Sequence, residues 1–125
     1  MARVLVAAQT TPGAYPTLPI SANSRDLQFQ AGDASLGNYT PIVEGKTLIV
    51  FHNTGVGART AGFVSVADTS FNRTGDITAY SMGAGEHALF GPFRSIGWNH
   101  SDTGEVGLWI DVSHSEVQIA VITLP

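Results

Sequence analysis

The sequence predicts an all-β fold: an antiparallel β-sandwich of about eight strands, jelly-roll-like, with an extended N-terminal arm. Three observations carry this. Apolar residues recur with period two along most of the apolar runs, as in half-buried strands. Gly, Asp and Asn clusters interrupt the chain at roughly the spacing of sandwich and barrel strands. No segment shows a helical period, and 14 glycines in 125 residues exceed the background of about 7%.

The elements follow in order. Arg3 to Ala8 is a short apolar run. Gln9 to Ser24 then carries Pro12, Pro16 and Pro19, which argue against a helix or a central strand and preset an extended path. Residues 1–24 therefore read as an N-terminal strand and proline-bearing arm, and residues 25–125 as the sandwich. From Asp26, Leu27, Phe29 and Ala31 alternate with polar or small residues in a half-buried strand. Thr47 to Asn53 is β-branched and aromatic and stops at a glycine turn, as a central strand does. A strand through Phe63 to Ala67 follows, then Ile77 to Met82, a turn at Gly83-Ala-Gly85, and Glu86 to Phe90 closed by Gly91-Pro92. Within that strand His87 and Leu89 face away from Ala88 and Phe90. Val106, Leu108, Ile110 and Val112 share a face opposite Trp109, whose indole is expected to be buried against the second sheet or a neighbouring subunit. Val117, Ile119 and Val121 define the last strand, too apolar for an exposed edge.

Composition narrows the function. A net charge of -4 without clustered Lys and Arg, and with Lys46 as the only lysine, speaks against direct nucleic-acid binding. Zero cysteines exclude disulfides and thiolate metal sites. Five consecutive apolar residues after Arg3 are too few for a secretory signal core or a membrane span, so no membrane partner is expected.

No constellation announces chemistry. The densest titratable cluster, Asp111-Val-Ser-His114-Ser-Glu116, reads as a solvated connection. His52, His87, His100 and His114 lack zinc-ligand spacing, so no metal and no cofactor is expected. There is no nucleophile elbow, and Gly83-Ala-Gly85-Glu86 lacks the lysine and helix of a phosphate loop. Catalytic residues are therefore expected to be none. A hydrolytic site would require His52, His87, His100, Asp102 or His114 to converge in a cleft. Trp98, beside Gly97 and ahead of a turn cluster, is the candidate surface aromatic; with Tyr15, Tyr39 and Tyr80 it would suit a tail-associated or carbohydrate-binding module.

The order Gly45-Lys-Thr-Leu-Ile-Val, His52-Asn53-Thr54-Gly55, Ala58-Arg59-Thr60, Arg73-Thr-Gly-Asp-Ile77, Ala84-Gly85-Glu86, Phe90-Gly91-Pro92-Phe93, Gly97-Trp98 and the closing Ala120-Val-Ile-Thr-Leu-Pro resembles small tailed-bacteriophage proteins of the head-decoration (capsid cement) type. The likeness spans about Ala14 to Pro125 and lies in the order and spacing of turn and strand signals. It implies a structural virion protein on the capsid surface, assembled in the host cytoplasm, whose partner is the major capsid protein. Copies are expected to self-associate as homotrimers through sheet faces or edges. Pro12, Tyr15, Pro16, Leu18 and Pro19 of the arm are the expected capsid or subunit contacts, since an extended segment can add to a strand edge.

Overall fold

The computed structural model describes residues 2–11, 22–23, 25–67, 70–101 and 104–125. It contains strands β1 (Val4–Leu5), β2 (Ala8–Thr10), β3 (Gln30–Ala31), β4 (Asn38–Thr40), β5 (Thr47–Asn53), β6 (Arg59–Val64), β7 (Ile77–Met82), β8 (His87–Phe93), β9 (Leu108–Val112) and β10 (Val117–Thr123). No helix occurs among the described residues.

The first sheet has the order β1-β4-β9-β6-β7; the second has the order β2-β10-β5-β8, with β3 also paired to β10. Strands β3 to β10 alone make the predicted eight-stranded jelly roll, β3-β10-β5-β8 facing β4-β9-β6-β7. Every pairing among those eight is antiparallel. The two parallel pairings, β1 with β4 and β2 with β10, both come from the N-terminal segment and make each sheet mixed.

Alternation places the core. On β5, Ile49 and Phe51 point inward; on β9, Leu108 and Ile110; on β10, Val117, Ile119 and Val121. Phe63 and Met82 join them from the first sheet. Each such side chain contributes about 1.5–3 kcal/mol by leaving water. Gly62 on β6 has a steric reason: a Cβ there would lie 2.3 Å from the Ile77 carbonyl oxygen. At that point the β6–β7 register shifts, and Ala79 adopts a φ of 53°.

The N-terminal segment departs from its predicted place outside the sandwich. Chain passage from β1 to β2 carries it from one sheet to the other, and Val6 between them is 1% exposed in the core. Arg3 secures the start. Its guanidinium lies 4.5 Å from the Trp109 ring centroid and pairs with Asp111 at 2.7 Å, while its backbone N–H donates to Glu105. Trp109 is consequently not buried against the second sheet: it lies on the outer face of the first, with His100 stacked on it at 3.8 Å and 5°. Leu108 and Ile110 have taken the inner face.

Several strand limits differ from the periodicity: β6 runs Arg59–Val64 rather than Phe63 to Ala67, β4 begins at Asn38 where Gly37-Asn38 reads as a turn, and three more differ for reasons of pairing. The strand expected from Asp26 pairs only at Gln30–Ala31, because β2 already occupies the same edge of β10 at Val121–Thr123. Gln9 instead holds the preceding stretch, its amide donating to the Asp26 carbonyl at 2.9 Å and accepting from the Gln28 N–H at 3.1 Å. Strand β8 runs past Gly91-Pro92 to Phe93, which pairs with Thr47. Val106 stays exposed ahead of β9, because Gly107 turns the chain with a φ of 139° and bridges back to His100.

Two buried asparagines satisfy backbone groups around the core, while the buried Thr40 hydroxyl has no partner among the described residues. Asn53 donates to the carbonyls of Gly57, Met82 and Gly83 and accepts from the Gly55 N–H. Asn38 donates to Val4 and accepts from Asp33.

Truncating Val6 to Ala is expected to lower the unfolding free energy by about 2 kcal/mol. Asn53→Ala, which strands several buried backbone groups, is expected to cost about 2–3 kcal/mol. Urea denaturation reads both, and an unchanged midpoint for either would remove that residue from the structural framework.

Candidate functional site

The two ends of the sandwich differ. At one end lie the turns 54–58, 83–86 and 113–116, tied by Asn53 and by the Arg59–Glu116 ion pair at 2.9 Å. At the other lie the β4–β5, β6–β7 and β8–β9 loops. This second end carries the exposed apolar side chains Phe71 and Ile96, 72% and 82% exposed, with Val43 and Val106 also exposed. The opposite end carries such a tip in Val56, 98% exposed; Phe71 and Ile96 differ in lining one groove together, and a shared apolar groove is a candidate interaction surface.

Phe71 and Ile96 line a groove of about 420 Å³ together with Val66, Ala67, Arg73 and Gly97. The Arg73 guanidinium lies 4.7 Å from the Phe71 ring centroid. The Val66 N–H donates to the Gly97 carbonyl at 2.7 Å, tying the β6–β7 loop to the β8–β9 loop. Beneath them Trp98 acts as a plug. It is half-buried and meets Phe93 edge-on at 5.4 Å and Phe63 at 6.3 Å. The residue read from sequence as the surface aromatic thus supports the loop end from below.

Side-chain locks fix both loops. The Ser65 N–H and hydroxyl each donate to Asp76 Oδ1 at 2.7 Å, and the Gly75 N–H donates to the Ser65 hydroxyl oxygen. These donors, the hydroxyl foremost, hold the Asp76 carboxyl below the ordinary carboxylate range, with a smaller pull from His100. His100 itself donates through Nε2 to the Val64 carbonyl at 2.8 Å. Glu44 receives the Ser95 hydroxyl at 2.6 Å and N–H at 2.9 Å; its carboxyl is lowered by these bonds, the hydroxyl first, and by nearby Arg94. The apolar tips therefore stand on a pre-organised base, which lowers the ordering cost of docking.

The histidines do not converge. His52 and His87 stack on each other at 3.9 Å beside Phe29, on the outer face of the second sheet. Burial, and then the neighbouring His87, pushes the His52 pKa down. His100 stacks on Trp109, and His114 lies at the opposite end near Glu116. Asp102 lies outside the described residues. Ser65 donates straight to Asp76 with no imidazole between them, so the pair is a loop lock and not an activated nucleophile. Among the described residues no three His, Asp or Glu side chains could hold a metal ion. A second cavity of about 360 Å³ lies over the β6–β7 bulge, but its carboxylates are engaged, Asp76 by Ser65 and Asp111 by Arg3.

Of the arm, Pro12, Tyr15, Pro16, Leu18 and Pro19 lie outside the described residues. Thr11, the last described residue before them, lies at the loop end, where its N–H donates to the Thr123 carbonyl at 3.0 Å. Sequence reasoning missed Phe71 and Ile96. The signal was there: each is a single large apolar residue inside an otherwise polar turn, Thr69-Ser-Phe-Asn-Arg73 and Arg94-Ser-Ile-Gly97.

Comparison with protein-family models, curated proteins and solved structures finds no match to the chain.

Removing the Ser65 hydroxyl (Ser65→Ala) is expected to raise the Asp76 pKa toward the ordinary range, and Ser95→Ala to raise that of Glu44, both readable by carboxyl carbon NMR. Because both folded-state values are depressed, each lock is complete above the ordinary carboxylate range and is lost as pH falls through the depressed value. Protection of the Ser65 and Gly75 amides against hydrogen exchange should fall over that acidic window; protection that persists below it would contradict the lock.

Proposed function

We propose that the chain is a structural virion protein that binds the outside of a phage capsid and stabilises it without catalysis, docking through the loop end of the jelly roll. The observation that carries this reading is the pair of exposed apolar tips, Phe71 and Ile96, raised on loops locked by Ser65–Asp76 and Ser95–Glu44. Apolar anchors on a rigid base supply binding energy, while the polar residues around them set register. The partner is the major capsid protein, which the sequence likeness names; the jelly roll, an architecture met in viral capsid and lectin domains, is compatible with it but says little alone. The arm residues Pro12, Tyr15, Pro16, Leu18 and Pro19 are proposed as further contacts to the capsid or a neighbouring copy.

A carbohydrate-binding role finds less support. Sugar stacking needs an open indole face, whereas Trp109 is covered by Arg3 on one side and His100 on the other, and Trp98 is engaged with Phe63 and Phe93.

Capsids stripped of this protein provide the test. Phe71→Ser and Ile96→Asp are each expected to weaken rebinding by roughly tenfold or more while leaving the unfolding midpoint unchanged. Replacing residues 12–21 with a Gly/Ser linker of equal length should weaken it further without unfolding the sandwich, since Val6 and β2 stay in place. Rebinding at full strength by both point variants would remove the loop end from the mechanism.

A further inference from the structure

The side of the sandwich formed by β7 and β8 has a different character from the loop end. Strand β7 is the outer edge of one sheet and β8 the outer edge of the other, and the short turn 83–86 joins them, so both edges lie on one side. Tyr80 is paired with buried Ala61, so its ring turns into the gap between the sheets and meets Phe90 edge-on at 5.3 Å. Phe90 continues to Phe63 at 5.2 Å and Phe51 at 5.8 Å. The aromatic core thus runs out to the surface, where Tyr80 is 46% exposed and Leu89, on the outer side of β8, 65% exposed. In a chain with 16 charged residues, neither β7 nor β8 carries Asp, Glu, Lys or Arg.

From this geometry we infer that the β7–β8 side is where a second copy of this chain packs, related by a two-fold axis. Three features choose a copy over a peptide strand. The side spans two sheet edges, about 10 Å apart, which one added strand could not cover. The β6–β7 bulge at Ala79 and the missing N–H of Pro92 obstruct strand addition to either edge, so contact falls to the side chains. Charge is also self-complementary: Glu86 precedes β8 and Arg94 follows it, so a copy running the opposite way sets Glu86 against Arg94 at both ends of an uncharged strip. The pairing does not cover the loop end that carries Phe71 and Ile96, and it does not rest on capsid docking.

Analytical ultracentrifugation of the purified chain tests this. The native protein is expected to sediment as a dimer at about 100 µM, and Leu89→Glu or Tyr80→Ser to weaken association by about 30-fold or more with unchanged circular dichroism. Ile96→Asp should leave it intact, which separates this surface from the docking end. Arg94→Glu should weaken it roughly threefold, and adding Glu86→Lys should restore it. A monomeric native protein, or strip variants that dimerise normally, would overturn the assignment. A trimer, or no recovery in the double charge variant, would overturn the two-fold arrangement.

Discussion

The seven-residue pairing of β10 with β5 is the constraint on which the rest of the structure depends. It joins residues 64 to 76 positions apart in sequence and builds the centre of the second sheet, with Ile49, Phe51, Ile119 and Val121 directed into the core. The opposite edge of β10 is shared end to end by β3 and β2. Everything on that edge is set by how much of β10 each strand claims. A fold whose central pairing is so non-local forms through late, long-range contacts and not through local structure.

The N-terminal segment is the second constraint. Without it the jelly roll would still have eight strands, but β4 and β10 would each lose a neighbour and the core would lose Val6. The segment is held by specific chemistry at its start, Arg3 to Asp111 and Trp109, and by Gln9 to the backbone of residues 26–28 further on. Two short strands of two and three residues are weak alone. Spanning both sheets, they act as a strap across one side of the sandwich, and the buried Asn38 amide donates to Val4 to complete it.

The polar chemistry of the molecule is spent on positioning. Asn53 satisfies four backbone groups at one end, and at the other two serines hold two carboxylates. Three histidines are dispersed into stacks with each other or with Trp109, and His114 lies apart near Glu116. Two outward surfaces combine neighbouring apolar side chains: the Phe71–Ile96 groove at one end and the β7–β8 strip along one side. These two surfaces are separate, so docking to a larger particle and pairing of copies would not compete.

By itself the sequence determined the all-β content, the central place of Thr47–Asn53, the alternation of β9 and β10, and most turns, while Gly37-Asn38 reads as a turn where β4 begins. Side-chain alternation is a local property of extended backbone, and Gly and Asp mark turns through their own conformational preferences. Only the tertiary structure decided the rest. Leu27 reads as a strand residue, yet its edge position on β10 was already filled by β2. Trp109 reads as buried, yet Arg3, more than a hundred residues away, covers it on the outer face. Trp98 reads as a surface aromatic, yet it is half-buried against Phe63 and Phe93 while Phe71 and Ile96 stand out. Pairing and coverage are choices among distant segments, made by which edge or face is still open, and period-two alternation carries no information about that.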